Sequence, residues 1–522
     1  MFVFRNHTVE RFFPKGYTFS GYDDLSFIPE DADGYVWFYQ VPIKNDRELL
    51  SEEVKSYSGK VEYVLGRIDP AKVFVALTLF PVFDTAVSES DFQLISAIDG
   101  FNAALHCLAQ EHANLKVIEF RDFASRYPAS ELMDWKFYFI SQMGLNPRLS
   151  GDFIRWWGKK MDSVALKRKK CIVLDLDNTL WGGVLGEDGL DGIKIGGDYP
   201  GKAFSFFQEA LLELEKSGVI LTVCSKNNEA DVVEAWERVP SMILKKGHFA
   251  ACRINWNDKA GNIKEIAEEL NIGLDSMVFI DDNPSERELV RQFLPEVAVP
   301  AFPAQPYELP LFFKSLVEDY FQVYAVTDED RGKTLQYRAN AARAEAQKQF
   351  TDYPSFLRSL EIQVTVAEAD DVTIPRIAQM TQKTNQFNLT TKRYSDSDIR
   401  RFLQDGWRIW YLSVSDRFGD SGITGCALVN GSEIDSFLLS CRILGKGIEY
   451  AFLKTILSLL KTDGHQWLSA RYIPSRKNAQ VASFYEKGGF SCVKESPEGK
   501  DYEIELSQAD LVLEDYYQIT VR

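Results

Sequence analysis

Three short apolar runs in the middle of the chain predict strands that are buried on both faces. They cover residues 172–174, 221–224 and 277–280. Short runs of this kind are typical of parallel sheets. Apolar residues also recur at helical spacing in the segments between and after them. These segments are residues 203–217, 229–238 and 259–270. Because strands alternate with helices, we expect a doubly wound parallel sheet within residues 166–310.

The first 165 residues predict another α/β unit. Apolar strands at residues 73–79 and 115–120 flank an amphipathic helix over residues 88–111. In that helix Phe92 and Ile95 begin a series of apolar positions at helical spacing. We therefore expect residues 1–165 to form a separate domain.

The last part of the chain, residues 352–522, predicts an α+β domain. Residues 407–414 and 422–429 have the pattern of neighbouring antiparallel strands, and residues 436–441 predict a further strand. An apolar helix is expected over residues 448–460. Antiparallel strands followed by a helix are typical of a mixed fold rather than of a second parallel sheet.

A linker is expected between the central and last domains. Four prolines between residues 300 and 310 end the central unit. The charged, alanine-rich residues 328–349 predict an exposed linking helix within a linker region at 311–351. With 522 residues the chain is too long for one core, and three or four domains are expected.

Acidic residues follow the first and third central strands. Asp175 and Asp177 come directly after residues 172–174, and Asp281 and Asp282 come directly after residues 277–280. Open α/β sheets bind ligands at the carboxyl ends of their strands. Two carboxylates so close together repel each other, and a divalent cation such as Mg²⁺ would relieve that repulsion. The alternative is a solvated strand end with incidental acids.

A hydroxyl and a lysine complete the series. Ser225 ends the second strand, and Lys259 begins the third helix. The order of acid pair, hydroxyl, lysine and acid pair resembles the haloacid dehalogenase (HAD) superfamily of phosphatases and phosphotransferases. Residues 175–189, DLDNTLWGGVLGEDG, resemble the FkbH-like branch of that superfamily. The resemblance covers most of the chain, because that branch also carries flanking domains.

The HAD resemblance implies roles for these residues. Asp175 would be the nucleophile that forms an aspartyl-phosphate, and Asp177 the general acid and then base. Ser225 and Lys259 would hold the transferring phosphoryl group.

Mg²⁺ would bridge Asp175, the backbone carbonyl of Asp177 and the last acid pair. Within that pair Asp282 is favoured over Asp281 as the direct ligand, although the sequence leaves both open.

The intervals from Asp177 to Ser225 and from Ser225 to Lys259 are largely filled by predicted core elements, so no large cap domain is expected. The glycine-rich residues 181–201 suffice only for a small flap.

In FkbH-like proteins the first domain resembles SGNH hydrolases. This sequence has neither a Gly-Asp-Ser nucleophile motif nor a convincing Asp-x-x-His. We therefore expect an SGNH-like scaffold without catalysis. The aromatic residues 134–139 are more often core or a domain interface, with a binding patch as the alternative.

The last domain resembles GNAT-type acyltransferases. An Arg-x-x-Gly-x-Gly loop precedes its apolar helix, and a Phe-Tyr-x-x-x-Gly-Phe motif follows near the end. The resemblance implies that coenzyme A or a phosphopantetheine group binds at this loop and helix start. The residues implied are Arg442, Gly445, Gly447, Asn478 and Tyr485. The alternative is a GNAT-shaped domain that no longer transfers acyl groups.

The formal net charge of −17 argues against a nucleic-acid-binding protein, although a local basic patch for a phosphorylated substrate stays compatible with it. Seven scattered cysteines without a C-x-x-C pair suggest a reducing cytoplasm. Five histidines show no zinc-site spacing. The start lacks a signal-peptide pattern, and the longest apolar stretch, residues 73–83, is too short to span a bilayer. We expect a cytoplasmic protein that does not bind membranes.

The sequence therefore favours a Mg²⁺-dependent phosphatase or phosphotransferase that acts on a phosphorylated small molecule. FkbH-like resemblance implies a narrower reaction, in which a glyceryl group from a phosphorylated glycerate is loaded onto an acyl carrier protein with release of phosphate. One alternative is a GNAT-type acyltransferase with an accessory HAD unit. The other is a non-catalytic scaffold that binds a carrier protein.

Overall fold

A computed structural model describes residues 1–84, 86–326, 337, 339, 343, 346, 350–440 and 443–522. They form two compact units, one of Met1–Ala165 with Ser395–Arg401 and one of Leu166–Tyr394 with Phe402–Arg522. Most of the linking helix predicted at 328–349 lies outside the described residues.

The first unit contains a five-stranded parallel sheet, as the α/β prediction requires. Its strands are β1 (Phe2–Arg5), β2 (Thr18–Tyr22), β3 (Tyr35–Phe38), β4 (Phe74–Leu77) and β5 (Leu115–Ile118). They lie in the order β2-β1-β3-β4-β5. Its helices are α1 (Arg47–Leu65), α2 (Gln93–Glu111), α3 (Arg121–Ala124), α4 (Ala129–Leu132), α5 (Trp135–Ser141) and α6 (Ser150–Val164). An SGNH-like relationship stays a prediction.

Helix α2 begins at Gln93, five residues after the predicted start at 88. A turn precedes it, in which the Asp91 N–H donates to the Ser88 carbonyl at 3.1 Å. The Asp91 carboxylate then accepts from the Gln93 N–H at 3.3 Å. Polar residues that bond their own backbone favour turns over helix interiors, which explains the shorter helix.

A four-stranded sheet in the second unit confirms the predicted central strands. Its strands are β6 (Cys171–Leu174), β7 (Ile220–Ser225), β8 (Phe249–Ile254) and β9 (Met277–Ile280). All neighbours are parallel, in the order β8-β7-β6-β9. Because Leu174 pairs with Ile280, the next residues, Asp175 and Asp281, lie level with each other.

Helices cover both faces of this sheet. They are α7 (Leu185–Gly192), α8 (Gly201–Lys216), α9 (Glu229–Arg238), α10 (Lys259–Glu269), α11 (Pro284–Phe293) and α12 (Leu309–Leu316). Alternate β6 residues point to opposite faces. Ile172 joins a buried cluster with α8, α9 and α12, whereas Val173 joins one with α10 and α11. Since α12 belongs to this core, the core continues past the boundary expected at residue 310.

An eight-stranded mixed sheet completes the second unit. Its strands are β10 (Ile362–Glu368), β11 (Arg408–Asp416), β12 (Gly419–Asn430), β13 (Glu433–Leu439), β14 (Trp467–Tyr472), β15 (Ser491–Ser496), β16 (Gly499–Glu505) and β17 (Tyr517–Val521). The order is β15-β16-β14-β13-β12-β11-β10-β17. Its helices are α13 (Tyr353–Ser359), α14 (Ile374–Lys383), α16 (Ile448–Thr462) and α17 (Phe484–Lys487). Helix α15 (Asp396–Gln404) follows α14 in the sequence, and its residues up to Arg401 belong to the first unit.

Strands β11 and β12 are antiparallel neighbours, as predicted. Strand β17, which the sequence analysis did not predict, lies parallel to β10. The division of this unit into a domain ending at 310, a linker and a domain from 352 stays a prediction. Among the described residues, no helix is both long and apolar enough to cross a membrane.

Replacing Gln208 with Ala is expected to lower the free energy of unfolding of the second unit by about 3 kcal/mol. The fully buried Gln208 amide donates to the Leu180 carbonyl at 2.8 Å and accepts from the N–H groups of Ile243 and Leu244. Alanine would leave three buried backbone groups unsatisfied. Denaturant unfolding followed by tryptophan fluorescence measures the change. The control is Glu209→Ala, which removes an exposed neighbour; equal, small effects of both variants would contradict the assignment.

Candidate active site

The carboxyl ends of three neighbouring strands bring the predicted central residues together. Asp175 directly follows β6, Asp281 directly follows β9, and Ser225 is the last residue of β7. All three are buried, and Asp281 is fully shielded from solvent. Strand register and burial therefore place two carboxylates and one hydroxyl at one edge of the sheet.

Lys259 lies between the two strand-end carboxylates. It is the first residue of α10, and its Nζ is 2.9 Å from Asp175 Oδ1 and 2.6 Å from Asp281 Oδ2. Burial by itself lowers the pKa of Lys259, but the charges of Asp175 and Asp281 outweigh it and hold that pKa above its ordinary value. A charged ammonium thus links β6 to β9.

Asp282 adds a third carboxylate beside this pair. Oxygens of Asp175, Asp281 and Asp282 all lie within 4.8 Å of one another. Burial, and next the charge of Asp175, raises the pKa of Asp281 to about 6 and also raises the pKa of Asp282. One lysine therefore does not fully compensate the cluster, and a further cation would stabilise it.

The donor set fits Mg²⁺, which prefers carboxylate oxygens. Asp175 Oδ1 is buried and lies close to Lys259, yet it accepts no well-aligned hydrogen bond. Asp281 uses one oxygen for Lys259 and the other for the Asn283 N–H at 2.8 Å. The Asp282 carboxylate is partly exposed and accepts no hydrogen bond within the described part of the chain. This difference favours Asp282 as the direct ligand, as a proposal.

Asp177 is held by three donors. Its Oδ1 accepts from Trp181 Nε1 at 2.9 Å and from the Leu185 N–H at 3.0 Å, and its Oδ2 accepts from Asn227 Nδ2 at 2.9 Å. Asn227 Nδ2 also lies 3.5 Å from Ser225 Oγ. Asp177 therefore has a fixed orientation beside the buried cluster. Metal binding through its backbone carbonyl stays a prediction.

The turn after Asp177 is shaped by the next two residues. Asn178 adopts a φ of 53°, and its Oδ1 accepts from the Gly183 N–H at 2.9 Å. Thr179 Oγ1 accepts from the Asp282 N–H at 3.2 Å, which ties this turn to the end of β9. Gly183 has a φ of 94°, and a Cβ there would lie 2.6 Å from Asp188. Glycine is therefore needed where the flap folds back.

The flap is small, as predicted. All of residues 178–258 are described, and they contain α7, α8 and α9 with β7 and β8 but no inserted cap domain. Helix α7 is the main element of the flap. Entry of a bulky substrate past this flap stays a prediction.

Sequence reasoning missed three residues that support this site. Asn227 and Trp181 orient Asp177, and Arg287 Nη1 donates to the carbonyl oxygens of both Asp281 and Asp282 at 2.6 Å. Asn227 lies two residues after Ser225, and Trp181 belongs to the Asp-Asn-Thr-Leu-Trp run, so proximity in sequence was an available signal for these two. Arg287 is reached only through the fold of α11.

Two described residues of the glycine loop, Gly445 and Lys446, have carbonyl groups that accept hydrogen bonds from tyrosine side chains. Arg442 lies outside the described residues. Gly445 and Gly447 have φ values of 82° and 73°, and Gly447 directly precedes α16. Hydroxyl groups of Tyr353 and Tyr517 donate to the carbonyls of Gly445 and Lys446. The loop is thus fastened to other segments, and its role in holding a coenzyme stays a prediction.

Asn478 and Tyr485 are buried in the same domain. Asn478 donates to the carbonyls of Asn388 and Ile473, at 3.0 and 2.9 Å, and accepts from the Ser475 N–H at 2.7 Å. The Tyr485 hydroxyl is fully buried and has no hydrogen-bond partner among the residues that the structure describes. The Asn478 amide would have to give up these bonds to contact coenzyme A. A role of Asn478 and Tyr485 in binding a coenzyme stays a prediction.

The gap between β13 and β14 is filled by the chain itself. These strands pair at only two positions and then diverge. Residues 387–389 lie between them: Leu389 donates to Phe437 at 3.3 Å, Leu439 donates to Phe387 at 3.0 Å, and Ile473 donates to Leu389 at 2.8 Å. Backbone groups that an extended ligand could bind there are already paired.

No family model matches this chain, and no curated protein matches it. Among solved structures, the chain is similar to the N-terminal part of the protein BF1531 from Bacteroides fragilis, which contains a phosphatase domain and was crystallised with Mg. The identity is 28%, the match covers 62% of this chain and 94% of that chain, and the TM-score is 0.52.

Two acetyltransferases match more distantly. The ribosomal-protein-S18-alanine N-acetyltransferase from Escherichia coli is 14% identical, over 29% of this chain and 99% of that chain, with a TM-score of 0.22. An N-acetyltransferase from Staphylococcus aureus Mu50 is 15% identical, over 27% and 98%, with a TM-score of 0.22. TM-scores of 0.22 are too low to assign a fold or a function to the matched residues.

Mg²⁺ binding is expected to be about tenfold weaker at pH 5 than at pH 7. The pKa of Asp281 is about 6. Protons and Mg²⁺ compete for the carboxylate cluster, so lowering the pH through this value removes a negative charge that attracts the cation. Calorimetric titration at both pH values measures the effect. In Asp281→Asn, binding at pH 7 should be weaker and vary less with pH; identical pH dependence in both proteins would contradict the assignment.

Proposed function

We propose that this protein is a Mg²⁺-dependent phosphatase or phosphotransferase. The observation that carries the proposal is the cluster of Asp175, Asp281 and Asp282 around Lys259 at the carboxyl edge of a parallel sheet. The chain is also similar to the N-terminal part of BF1531, which contains a phosphatase domain complexed with Mg, and this similarity supports the same chemistry. A phosphorylated small molecule is the expected substrate class.

Asp175 is the proposed nucleophile. Its carboxylate attacks phosphorus, the bond from phosphorus to the leaving oxygen breaks, and an aspartyl-phosphate forms. Lys259 lies 2.9 Å from Asp175, where its charge can stabilise negative charge on the phosphoryl oxygens. Ser225, at the end of the adjacent strand, would hold one of these oxygens. Bound Mg²⁺ would supply further charge neutralisation at the transferring group.

Asp177 is the proposed general acid and base. It would donate a proton to the leaving oxygen and later remove one from water or another acceptor. Three donors from Trp181, Leu185 and Asn227 fix its carboxylate. Two of them come from the flap segment, so the flap both orients Asp177 and borders the entrance.

The narrower proposal follows the resemblance to FkbH-like proteins. In it, a glycerate that is phosphorylated on its carboxyl group enters the uncapped site, the thiol of an acyl carrier protein attacks the carbonyl carbon, and phosphate leaves as the glyceryl thioester forms. Residues 439 and 440 at the end of β13 line a cavity with Lys170 and Ser276, which precede β6 and β9. Asp175 lies at the opposite ends of these strands. The pantetheine arm of a carrier protein would therefore have to approach Asp175 from the flap side. It could not reach Asp175 directly from the end of β13.

Acyl transfer by the last domain is the second candidate, and the packing of residues 387–389 argues against it. Those residues occupy the gap between β13 and β14 through three backbone hydrogen bonds. A coenzyme arm that entered through this gap would have to displace them. We therefore favour the carboxylate cluster as the site of chemistry.

Replacing Asp175 with Asn is expected to lower phosphate release by at least about a thousandfold, because the nucleophile is lost. The substitution also relieves repulsion within the cluster, so the melting temperature without metal should not fall. The assay is phosphate release from a panel of phosphorylated metabolites in Mg²⁺. Asp191→Asn, an exposed acid on α7, is the matched control. Substantial activity in Asp175→Asn would exclude the covalent mechanism.

The same two variants separate hydrolysis from transfer. With a phosphorylated glycerate and a pantetheine-bearing carrier protein, intact-mass spectrometry detects glyceryl loading. Loading that depends on Asp175 supports the transferase proposal. Phosphate release without any loading would restrict the protein to hydrolysis.

Replacing Trp181 with Phe is expected to reduce kcat about tenfold to a hundredfold with little change in KM. The ring still fills the buried position, but the hydrogen bond from Nε1 to Asp177 Oδ1 is lost. Asp177 then keeps its other two donors and is less well oriented. Steady-state kinetics over a range of pH measures the change. Trp236→Phe, a buried tryptophan of α9 whose Nε1 has no partner, is the control; equal losses in both variants would indicate a packing effect alone.

A further inference from the structure

A cavity of about 310 Å³ lies at the carboxyl ends of β1 and β3 in the first unit. His7 and Gln40 line it, and each stands two residues past the end of a strand. Since Arg5 pairs with Phe38, these two positions follow the last strand pair at equal distance. The chain continues from β1 to β2 on one side and from β3 to β4 on the other, so this is the switch point of the sheet. Open α/β sheets bind ligands at such points.

The position of the proton on the His7 ring is fixed by Asn6. The Asn6 amide nitrogen donates to the Gln40 carbonyl at 2.8 Å, and Asn6 Oδ1 accepts from the Gln40 N–H at 2.9 Å. These two bonds determine which end of the Asn6 amide is the oxygen. His7 Nδ1 lies 2.9 Å from that oxygen and therefore carries the proton. Burial, and next the charge of Arg5, lowers the pKa of His7 to about 3, so the ring is neutral and its Nε2 is an acceptor.

Two buried polar atoms at this end of the cavity have no hydrogen-bond partner among the described residues. They are His7 Nε2 and Gln40 Nε2, in side chains of residues that are 5% and 7% exposed. The two side chains lie close together, because a Cβ added to Gly144 would be 3.1 Å from His7 Cδ2 and 2.8 Å from Gln40 Cδ. Leaving buried donors and acceptors unsatisfied destabilises a fold. A hydroxyl group both donates and accepts, so a ligand hydroxyl between the two side chains would satisfy both.

The charged side chains of the lining are paired within the chain. Lys44 pairs with Glu53, and Asp23 lies 2.6 Å from Lys60 Nζ. Tyrosine hydroxyl groups donate to both acids at 3.0 Å. These pairs compensate the charges of the lining, which therefore favours an uncharged ligand over an ion.

Apolar side chains form much of the remaining lining. They are Val41, Pro42, Ile43, Val82, Phe83 and Met133, beside the polar residues Tyr138 and Gln142. The Phe83 ring contacts Trp135 of α5, with centroids 4.8 Å apart. This contact joins the cavity to the aromatic residues 134–139, for which a binding patch was the alternative to a core or interface role. The cavity thus combines a buried polar end with apolar and aromatic side chains.

We propose that this cavity binds a small uncharged molecule that carries a hydroxyl group on an apolar body, with the hydroxyl held between His7 Nε2 and the Gln40 amide. The body packs on Phe83 and Met133, whose ring and thioether suit an aromatic group. The volume of about 310 Å³ is about ten times that of one water molecule in the liquid, so a single ordered water does not fill it. The proposal does not depend on the reaction proposed above.

The test uses benzyl alcohol as the probe, with ethylbenzene and benzoate as comparators. Ethylbenzene has the same number of non-hydrogen atoms but no hydroxyl, and benzoate is charged and has no proton to donate to His7. Ligand-observed NMR titration of the full chain measures the three dissociation constants. We expect benzyl alcohol to bind in the millimolar range or more tightly, and at least about fivefold more tightly than either comparator, because only its hydroxyl pairs both buried groups.

Variants locate the hydroxyl and the body of the probe. His7→Phe and Gln40→Met remove the unpartnered nitrogens at nearly constant size, and each should reduce the preference for benzyl alcohol over ethylbenzene to within about twofold. The melting temperature of Gln40→Met should not fall, since an unsatisfied buried donor is removed. Ile43→Trp, at a half-buried position of the lining, should weaken binding of both compounds by at least about tenfold, because the larger ring fills the cavity. Gln110→Met, an exposed residue of α2, is the matched control and should change neither constant.

Three results would overturn the proposal. The first is the absence of benzyl alcohol binding in the millimolar range, and the second is binding of ethylbenzene or benzoate as tight as that of benzyl alcohol. The third is a preference for the hydroxyl that persists in Gln40→Met and in His7→Phe when these fold normally, or binding that is unchanged in Ile43→Trp, since either would place the probe elsewhere. No phosphorylated compound and no Mg²⁺ enters this test, so its outcome is independent of the reaction proposed above.

Discussion

The ion pairs of Lys259 with Asp175 and Asp281 are the interaction on which the proposed active site depends. Two buried carboxylates at the ends of adjacent strands would repel each other strongly at low dielectric. An ammonium 2.9 and 2.6 Å away makes their burial tolerable, and it joins α10 to β6 and β9. One positive charge is still insufficient for three carboxylates, as the raised pKa values of Asp281 and Asp282 indicate. A divalent cation would relieve the remaining repulsion, and this relief contributes to its binding energy. The repulsion that favours metal binding therefore also destabilises the fold when no metal is bound.

The surrounding sheet keeps this cluster rigid. Strands β6 and β9 are buried on both faces, so neither can slide or tilt without disturbing two apolar clusters. A register shift of one residue between them would move Asp281 away from Lys259 and would also turn its side chain to the other face. Hydrogen bonds from Arg287 and Thr179 fasten the backbone of Asp282. The flap, in contrast, is attached through glycines and through its contacts with Asp177. Rigidity at the carboxylates and a lighter attachment at the entrance suit a site that must admit substrate.

Local pattern was enough to predict the central strands and the meeting of Asp175, Ser225 and Asp281 at their ends, because parallel strands bring their carboxyl termini to one edge regardless of loop detail. It could not predict contacts made by residues far apart in the sequence. Arg287 reaches the carbonyls of Asp281 and Asp282 only because α11 turns back over the end of β9. Residues 387–389 fill the gap between β13 and β14 through backbone hydrogen bonds. The identities of their side chains do not reveal where these backbone groups bind. The motif around Asn478 predicts coenzyme binding but does not reveal that its amide donates to the Asn388 carbonyl of this segment.

The two edges of the β6–β9 sheet differ in the charges placed there, and the directions of the neighbouring helices explain part of this difference. Helices α10 and α11 begin at the carboxyl edge, directly at Lys259 and after Asp282, so their positive ends favour an anionic phosphoryl group there. Helix carboxyl ends attract cations, and Lys383 at the end of α14 follows that rule. Lys170, however, precedes a strand, and Lys477 belongs to a loop after β14, so no helix dipole requires either charge. Lys477 pairs with Asp275 at 2.6 Å, so an ion pair within the chain accounts for its charge. At the carboxyl edge, in contrast, the starts of α10 and α11 add their positive ends to the charge of Lys259, which is a physical reason why the chemistry is proposed there.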